Sequence, residues 1–447
     1  MLPDPSKNTR NFYLLLSGFA LLVFAANWTH SNQQQIYCTR YLPLAHAILN
    51  GELPYAVTKV FYPIWGYPFV MTLGVWLWHP NIVIEVLQFI AAVMSIVLAY
   101  RLIELTPRLW HIPFFLPYFA LCSVKWPDAF VAILFLLHIV FAFAYLKGDH
   151  PPTPSFLKRG SWMLLFFAAL TLALIVNFRT EYLFFPVVEL LVAAIYFVRR
   201  KNKQLLIVAA SSVLACVIGI SPWYCYTASV ASHPRLTTSN GAGVLYISLG
   251  QLPGNPWGIR HLDSDAYLKA QQMGIADPYS ETGERALTQA FDSAVSSHPG
   301  LFGLKVARNF GMAFVGGLYT GEYANLLLND AQRVQLEQAH SINGIPIGVV
   351  AVWVVEKALR ILSIPLLLIL LLLFVAKRKS LETKYATLHP LILALVIYRI
   401  ATVALIQYEP RHVNLIYVPL LFYAFSVIQS RIEAGLQRPY DLKSFFR

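Results

Sequence analysis

Charge is what this chain has least of. Only 13% of its 447 residues are Asp, Glu, Lys or Arg, against 57% apolar, and the mean hydropathy is +0.57. A soluble domain of this length needs a wet, charged surface, so that class is excluded. Carboxylates are scarcer than cations, 22 against 34. The stretch Asn27-Trp-Thr-His-Ser-Asn-Gln-Gln-Gln-Ile-Tyr-Cys-Thr-Arg40 holds none at all. The four cysteines are far apart and show no metal-ligand spacing. Cys38 and Cys225 would lie near one face, where either a disulfide or two unpaired thiols fits. No internal repeat, low-complexity tract or linker appears. The ten-residue alternation of a membrane β-barrel is missing too.

Apolar length is what the chain has instead. Runs at 12–26, 129–146, 161–178, 205–225, 365–376 with the turn before it, and 391–405 approach the ~20 residues that carry a helix across a ~30 Å hydrocarbon layer. The first run has no convincing cleavage site and reads as a retained helix. The expected fold is an all-α polytopic membrane protein, a bundle of about ten to twelve transmembrane helices under a layer of loops and interfacial helices. The net charge of +12 does not point to nucleic acid, because the cations sit at helix ends: Lys7/Arg10, Lys147/Lys158/Arg159, Arg199/Arg200/Lys201/Lys203, Lys377/Arg378/Lys379 and Arg431/Lys443/Arg447. That is the positive-inside pattern, with both termini cytoplasmic.

The resulting organisation is one membrane domain over 1–447. It comprises a first external loop (27–60), a helical module (61–225), a large external region (226–356) and C-terminal helices (357–447). Counting 62–78, 82–105 and 109–124 all as spans gives eleven, which conflicts with two cytoplasmic termini. One of the three is expected to be short, re-entrant or tilted, and 62–78, with Pro63, Gly66 and Pro68, is the first candidate. Within the external region, 280–297 reads as an amphipathic surface helix ending at His298-Pro299. Residues 301–319, apolar but carrying Lys305, Arg308 and Asn309, read as an interfacial helix.

This topology gathers Tyr41, Lys125, Asp128, Arg179, Glu181, Glu409, Arg411 and His412 at helix ends facing one compartment. Any one of them alone is explained as an interfacial anchor. Convergence from separate helices argues for a site, since ionisable groups at membrane depth are costly unless paired, hydrated or functional.

The run Tyr41-Leu-Pro-Leu-Ala-His-Ala-Ile-Leu-Asn-Gly-Glu-Leu-Pro-Tyr55, followed by Phe61-Tyr-Pro-Ile-Trp-Gly-Tyr-Pro68, resembles the first external loop of the C-type glycosyltransferase superfamily. Further similarities follow in family order: Trp126-Pro-Asp128, Asn177-Phe-Arg-Thr-Glu181, Ser221-Pro-Trp-Tyr224, Thr237-Thr-Ser-Asn-Gly241 through Gly254-Asn-Pro-Trp257, and Arg411-His412 before Tyr417-Val-Pro419. The match covers most of the chain, nearest to the bacterial protein O-mannosyltransferase-like branch.

The resemblance implies transfer of a sugar from a polyprenyl-phosphate donor to an envelope glycan, lipid or protein acceptor. The reaction would be inverting and would occur at the outer face of the bacterial inner membrane. Asp128 and Glu181 are then the candidate catalytic carboxylates, and Arg179, Arg411, His412 and Lys125 the phosphate-holding groups. Tyr41, Glu409, Asn255 and Trp257 are candidate substrate contacts. Glu181 serves equally well to orient Arg179, as Glu409 could Arg411, and Trp257 reads equally as a sugar-stacking ring or an interfacial tryptophan. No particular cofactor is implied; a divalent metal stays open, without support from the spacing.

One departure is plain. Active family members carry an Asp, or an Asp-Glu pair, between the first helix and the tyrosine matched by Tyr41, and here that stretch has no carboxylate. Asp128, Glu52, Asp263 or Asp265 would have to supply the base, with His30 and His46 less suited. Otherwise the chain is a polymerase or ligase, an inactive relative, or a lipid or sugar transporter.

Overall fold

The computed structural model describes residues 5–32, 41–52, 60–77, 79–147, 155–231, 234–321, 332, 335, 342–376 and 385–436. Among them are 16 α-helices, short 3-10 turns and no strand. Eight of the helical segments are long and apolar enough to cross a membrane. In such a setting helix is the form that satisfies every backbone group within its own segment.

The long helices are α1 (Pro5–Asn32), α4 (Pro80–Ile103), α6 (Pro127–Lys147), α8 (Phe185–Arg200), α9 (Lys203–Val230), α14 (Ile347–Ala376), α15 (Leu388–Leu405) and α16 (Pro410–Leu436); α8 counts together with the 3-10 turn before it. Shorter apolar helices are α3 (Gly66–Leu77), α5 (Leu116–Cys122, after a 3-10 turn at Leu109–Phe115) and the Trp162–Phe178 part of α7 (Ser155–Phe178). The remainder are α2 (Leu42–Leu49), α10 (Gly241–Ser248), α11 (Asp263–Gln272), α12 (Glu281–Ser297) and α13 (Pro299–Val315). Proline sets several starts: Pro80, Pro127 and Pro410 open their helices, and Pro186 lies in the first turn of α8. Its fixed φ suits the first turn, where its missing N–H would have had no partner.

α6 and α16 form the interior, with Phe135, Val140, Phe143, Tyr417, Leu420 and Tyr423 all 0% exposed. Their two ends differ in character. At one end Lys147 of α6 pairs with Glu104 at the end of α4, and Gln429 of α16 reaches the carbonyl of Glu104 at 3.3 Å and the amide of Thr106 at 2.8 Å. At the other lie Asp128, which begins α6, Arg179 after α7, and Arg411, which begins α16. α10, α11 and α12 cover this second end around a small core of their own, including Tyr246, Leu249, Ala266 and Leu287.

The expected short segment is short: α3 has 12 residues, about 18 Å. Its Gly66 lies so close to the carbonyl of Asn177 that an added Cβ would fall 2.2 Å from the oxygen. Glu85, in the second turn of α4, pairs with Lys125. The starts of both helices therefore lie at the Asp128 end. Residues 109–124 are also broken, because Pro113 and Pro117 turn the first half into a 3-10 helix. α12 matches the expected surface helix and is capped by Ser280, whose hydroxyl accepts from the amide of Gly283 at 3.1 Å. α14 begins at Ile347, inside the expected external region. The polar residues Glu356, Lys357 and Arg360 lie within it rather than before it.

Candidate functional site

Asp128 is the fixed point of the site. It lies in the first turn of α6 with its side chain 1% exposed. Its Oδ2 accepts from Arg179 Nη2 at 2.7 Å, and Arg411 Nε stands 3.9 Å from the same oxygen. A buried carboxylate needs such partners, since an unpaired charge there is strongly destabilising. Neither guanidinium is fully consumed: the two side chains keep 21% and 23% of their surface open. Arg411 is fixed further by Glu409 at 2.5 Å and by the ring of Trp126, whose centroid lies 4.2 Å from its guanidinium carbon. Burial opposes the charge on Arg179, but Asp128 and Glu181 outweigh it and raise its pKa.

These groups border a cavity of about 570 Å³. Tyr41, Arg179, Glu181, Glu409, Arg411 and His412 line it, so six of the ten expected site residues meet in one place. Asp128 lies behind the lining and holds two of its arginines. Tyr41 is 3% exposed, and burial lifts its pKa well above the ordinary tyrosine value. Glu181 faces Arg399 Nη1 at 3.2 Å, while its backbone carbonyl accepts from the Tyr398 hydroxyl.

The other three expected residues are placed elsewhere. Lys125 is fully buried, with its ammonium 2.9 Å from Glu85, so α4 claims it rather than the cavity. Asn255 is a loop staple: its amide donates to the carbonyls of Leu252 and Ile259, and its Oδ1 accepts from the Ile259 amide. Trp257 packs on the core of the loop layer and edge-on to His298.

Among the substitute carboxylates, Asp265 is spent on Arg260, whose backbone amide and guanidinium both donate to it. Burial alone would raise its pKa, but those bonds lower it. Asp263 lines the cavity, and no described residue pairs with it. Glu52 is exposed and outside the lining. His46 sits on α2 apart from the lining, Cys225 is a free exposed thiol, and Cys38 and the His30 side chain lie outside the described residues.

The site also draws on residues that were not expected, four of them in the cavity lining and Arg399 behind it. Tyr62 and Tyr279, with ring centroids 5.5 Å apart, stand on one wall beside Thr238 and Asn240. Arg399 is 2% exposed and ties Glu181 to the His412 carbonyl, donating to the latter at 2.8 Å. Its signal was available, since it is a lone arginine inside an apolar run. Among the described residues no three His, Cys, Asp or Glu side chains come together as metal ligands would.

Chemically, then, the site is a partly open cavity with two partly open guanidinium forks, three lining carboxylates and an aromatic, hydroxyl-bearing wall. No protein-family model, curated protein or solved structure matches the chain.

Proposed function

We propose that this protein is a membrane glycosyltransferase of C-type architecture, moving a sugar from a polyprenyl-phosphate donor to an envelope glycan, lipid or protein. One observation carries the reading: Arg179 and Arg411 converge on buried Asp128 and turn their remaining surface into a cavity. Two forked cations suit a leaving phosphate, whose charge grows as the sugar departs. In this reading Asp128 positions both arginines and Asp263, the lining carboxylate with no described partner, takes the proton from the acceptor hydroxyl. The resemblance in motif order supports the same class. Ten crossings are proposed: the eight long segments, the broken 109–122 segment and α7. With α3 confined to the Asp128 end, this count is even and both termini share a side. Lys147, Arg199, Arg200 and Lys201 lie at the opposite end from the cavity, which supports an outward-facing site in the bacterial inner membrane.

The test is a donor assay on protein in lipid discs, with labelled polyprenyl-phosphate sugars and an envelope extract. Release of polyprenyl phosphate that is lost in Arg411→Ala and Asp263→Asn is the expected result. Absence of turnover with every donor would remove the transferase reading.

A transporter is the second reading, favoured by one specific feature. His138, midway along α6, places Nε2 3.2 Å from Glu189 of α8 and Nδ1 2.9 Å from the carbonyl of Ala168, with both side chains about 98–99% buried. Ionisable pairs at such depth often mark a transport path. A Glu189→Gln variant that keeps donor turnover assigns the pair to structure; one that abolishes lipid or sugar movement while no turnover exists in the parent favours transport.

A further inference from the structure

Four helices present their amino ends to the cavity, through Pro127 of α6, Gly241 of α10, Asp263 of α11 and Arg411 of α16. Helix amino ends carry free amides and a partial positive charge, so together they favour an anion. Three are already compensated: α6 by Asp128, α11 by Asp263 and Asp265, and α16 by Glu409 immediately before it. α10 has no acidic residue in its first turn. Its N-cap residue, Asn240, leaves the first amides uncapped, because its Oδ1 accepts from the Thr238 hydroxyl at 2.7 Å instead. Thr238 in turn approaches Thr180, the residue after Arg179, with its amide 3.4 Å from the Thr180 hydroxyl. The loop that leads into α10 thereby lies beside the residue that follows Arg179, and Gly241 and Arg179 both line the cavity.

A second, independent feature points to a ligand here. His412, 7% exposed, faces the same cavity from the first turn of α16, and no described residue hydrogen-bonds its ring. A polar ring that is so buried and still unpartnered suits a group that arrives with the substrate.

We infer that the amino end of α10 is an anion seat: the substrate's phosphate rests on the free amide end of the helix at Gly241, in the cavity shared by the Arg179 fork and His412. This deepens the transferase reading and rests on it. It explains how a cavity whose arginines are each matched by a carboxylate still takes up another negative charge. The chemistry recognised is a phosphate, either on a lipid or free in solution.

Gly241 allows a clean test, because an added Cβ there meets nothing within 4 Å. Binding of farnesyl phosphate, farnesol and inorganic phosphate is measured on the full protein in lipid discs, with thermal melting alongside. Gly241→Asp should weaken farnesyl phosphate about tenfold and Gly241→Lys should tighten it about threefold, with melting temperatures unchanged. Farnesol should not compete; inorganic phosphate competing as well as farnesyl phosphate identifies a soluble anion rather than a lipid headgroup at the same seat. If neither charged variant shifts affinity while Arg411→Ala abolishes it, the phosphate sits on the arginines alone and the α10 seat is wrong. If the parent binds no phosphate of either kind, the transferase reading falls and the seat falls with it.

Discussion

Asp128 and Asp263 are both carboxylates at helix starts, yet their surroundings suit them to opposite work in the proposed reaction. Asp128 is buried against Arg179 and Arg411, so its charge is committed to holding them. Asp128→Asn leaves two part-buried cations short of a counter-charge and should destabilise the protein by about 3 kcal/mol, with donor binding lost as well. Thermal melting and a binding assay read both effects. Asp263 is exposed at the cavity wall, and Asp263→Asn should leave melting unchanged while kcat falls by about 10²–10⁴ with donor affinity intact. A variant that melts normally and turns over normally would move the base elsewhere. Asp128, Arg179 and Arg411 were legible because each ends an apolar run beside a proline or a polar motif. Arg399, Glu85, His138 and Glu189 carried an equally readable signal, ionisable residues inside apolar runs, that motif order passed over. The diversion of Lys125 to Glu85 was not legible, since it depends on α4 packing beside the start of α6.

At the scale of elements, α13 shows how one side chain can tie two layers together. Sequence placed it as an interfacial helix, with nothing to say where Lys305 pointed. The ammonium is in fact 0% exposed and donates to the last carbonyls of α15, those of Leu405 and Ile406, at 2.9 and 2.5 Å. Asn309, one turn on, donates to Gln251, which grips both the amide and the carbonyl of Tyr408. The turn that delivers Glu409 and Arg411 to the cavity is thus held from the loop layer. Lys305→Met should leave those carbonyls without a donor and cost about 1–3 kcal/mol, read as a fall in melting temperature. Burial lowers the pKa of Lys305 to about 8. The unfolded chain keeps that proton to about 10.5. Between those values the unfolded state therefore binds more protons, and this group's contribution to stability rises with pH and is lost as pH falls through 8. A melting series from pH 7 to 10 on the parent and Lys305→Met checks the slope, which the variant should lack. Helix identity was readable from apolar length, but the 3-10 break at 109–115 needed Pro113 and Pro117 to be weighed together.

For the whole molecule, the orientation of the bundle decides what the cavity can meet. Its two ends are chemically unlike: cations at Lys147, Arg199, Arg200 and Lys201 on one side, and the Asp128 cluster with its loop layer on the other. The sequence made this polarity visible through charge, but left the number of crossings open, because a short helix and a spanning one share the same apolar composition. What separates them is contact: Gly66 lies against Asn177, Gly74 against Pro80 and Glu85 against Lys125, so α3 and α4 both start at the Asp128 end of the bundle. If retention of positive charge fixes the Lys147 end inside, Thr237 at the cavity mouth faces outward. In a cysteine-free parent, Thr237→Cys in intact cells should react with a membrane-impermeant maleimide, and Lys201→Cys only after permeabilisation. Both positions are exposed, so failure to label cannot be blamed on burial. The reverse pattern would place the cavity in the cytoplasm, where soluble nucleotide sugars compete with any lipid donor. Labelling of both positions from one side would break the antiparallel arrangement of α8 and α9 on which the site depends.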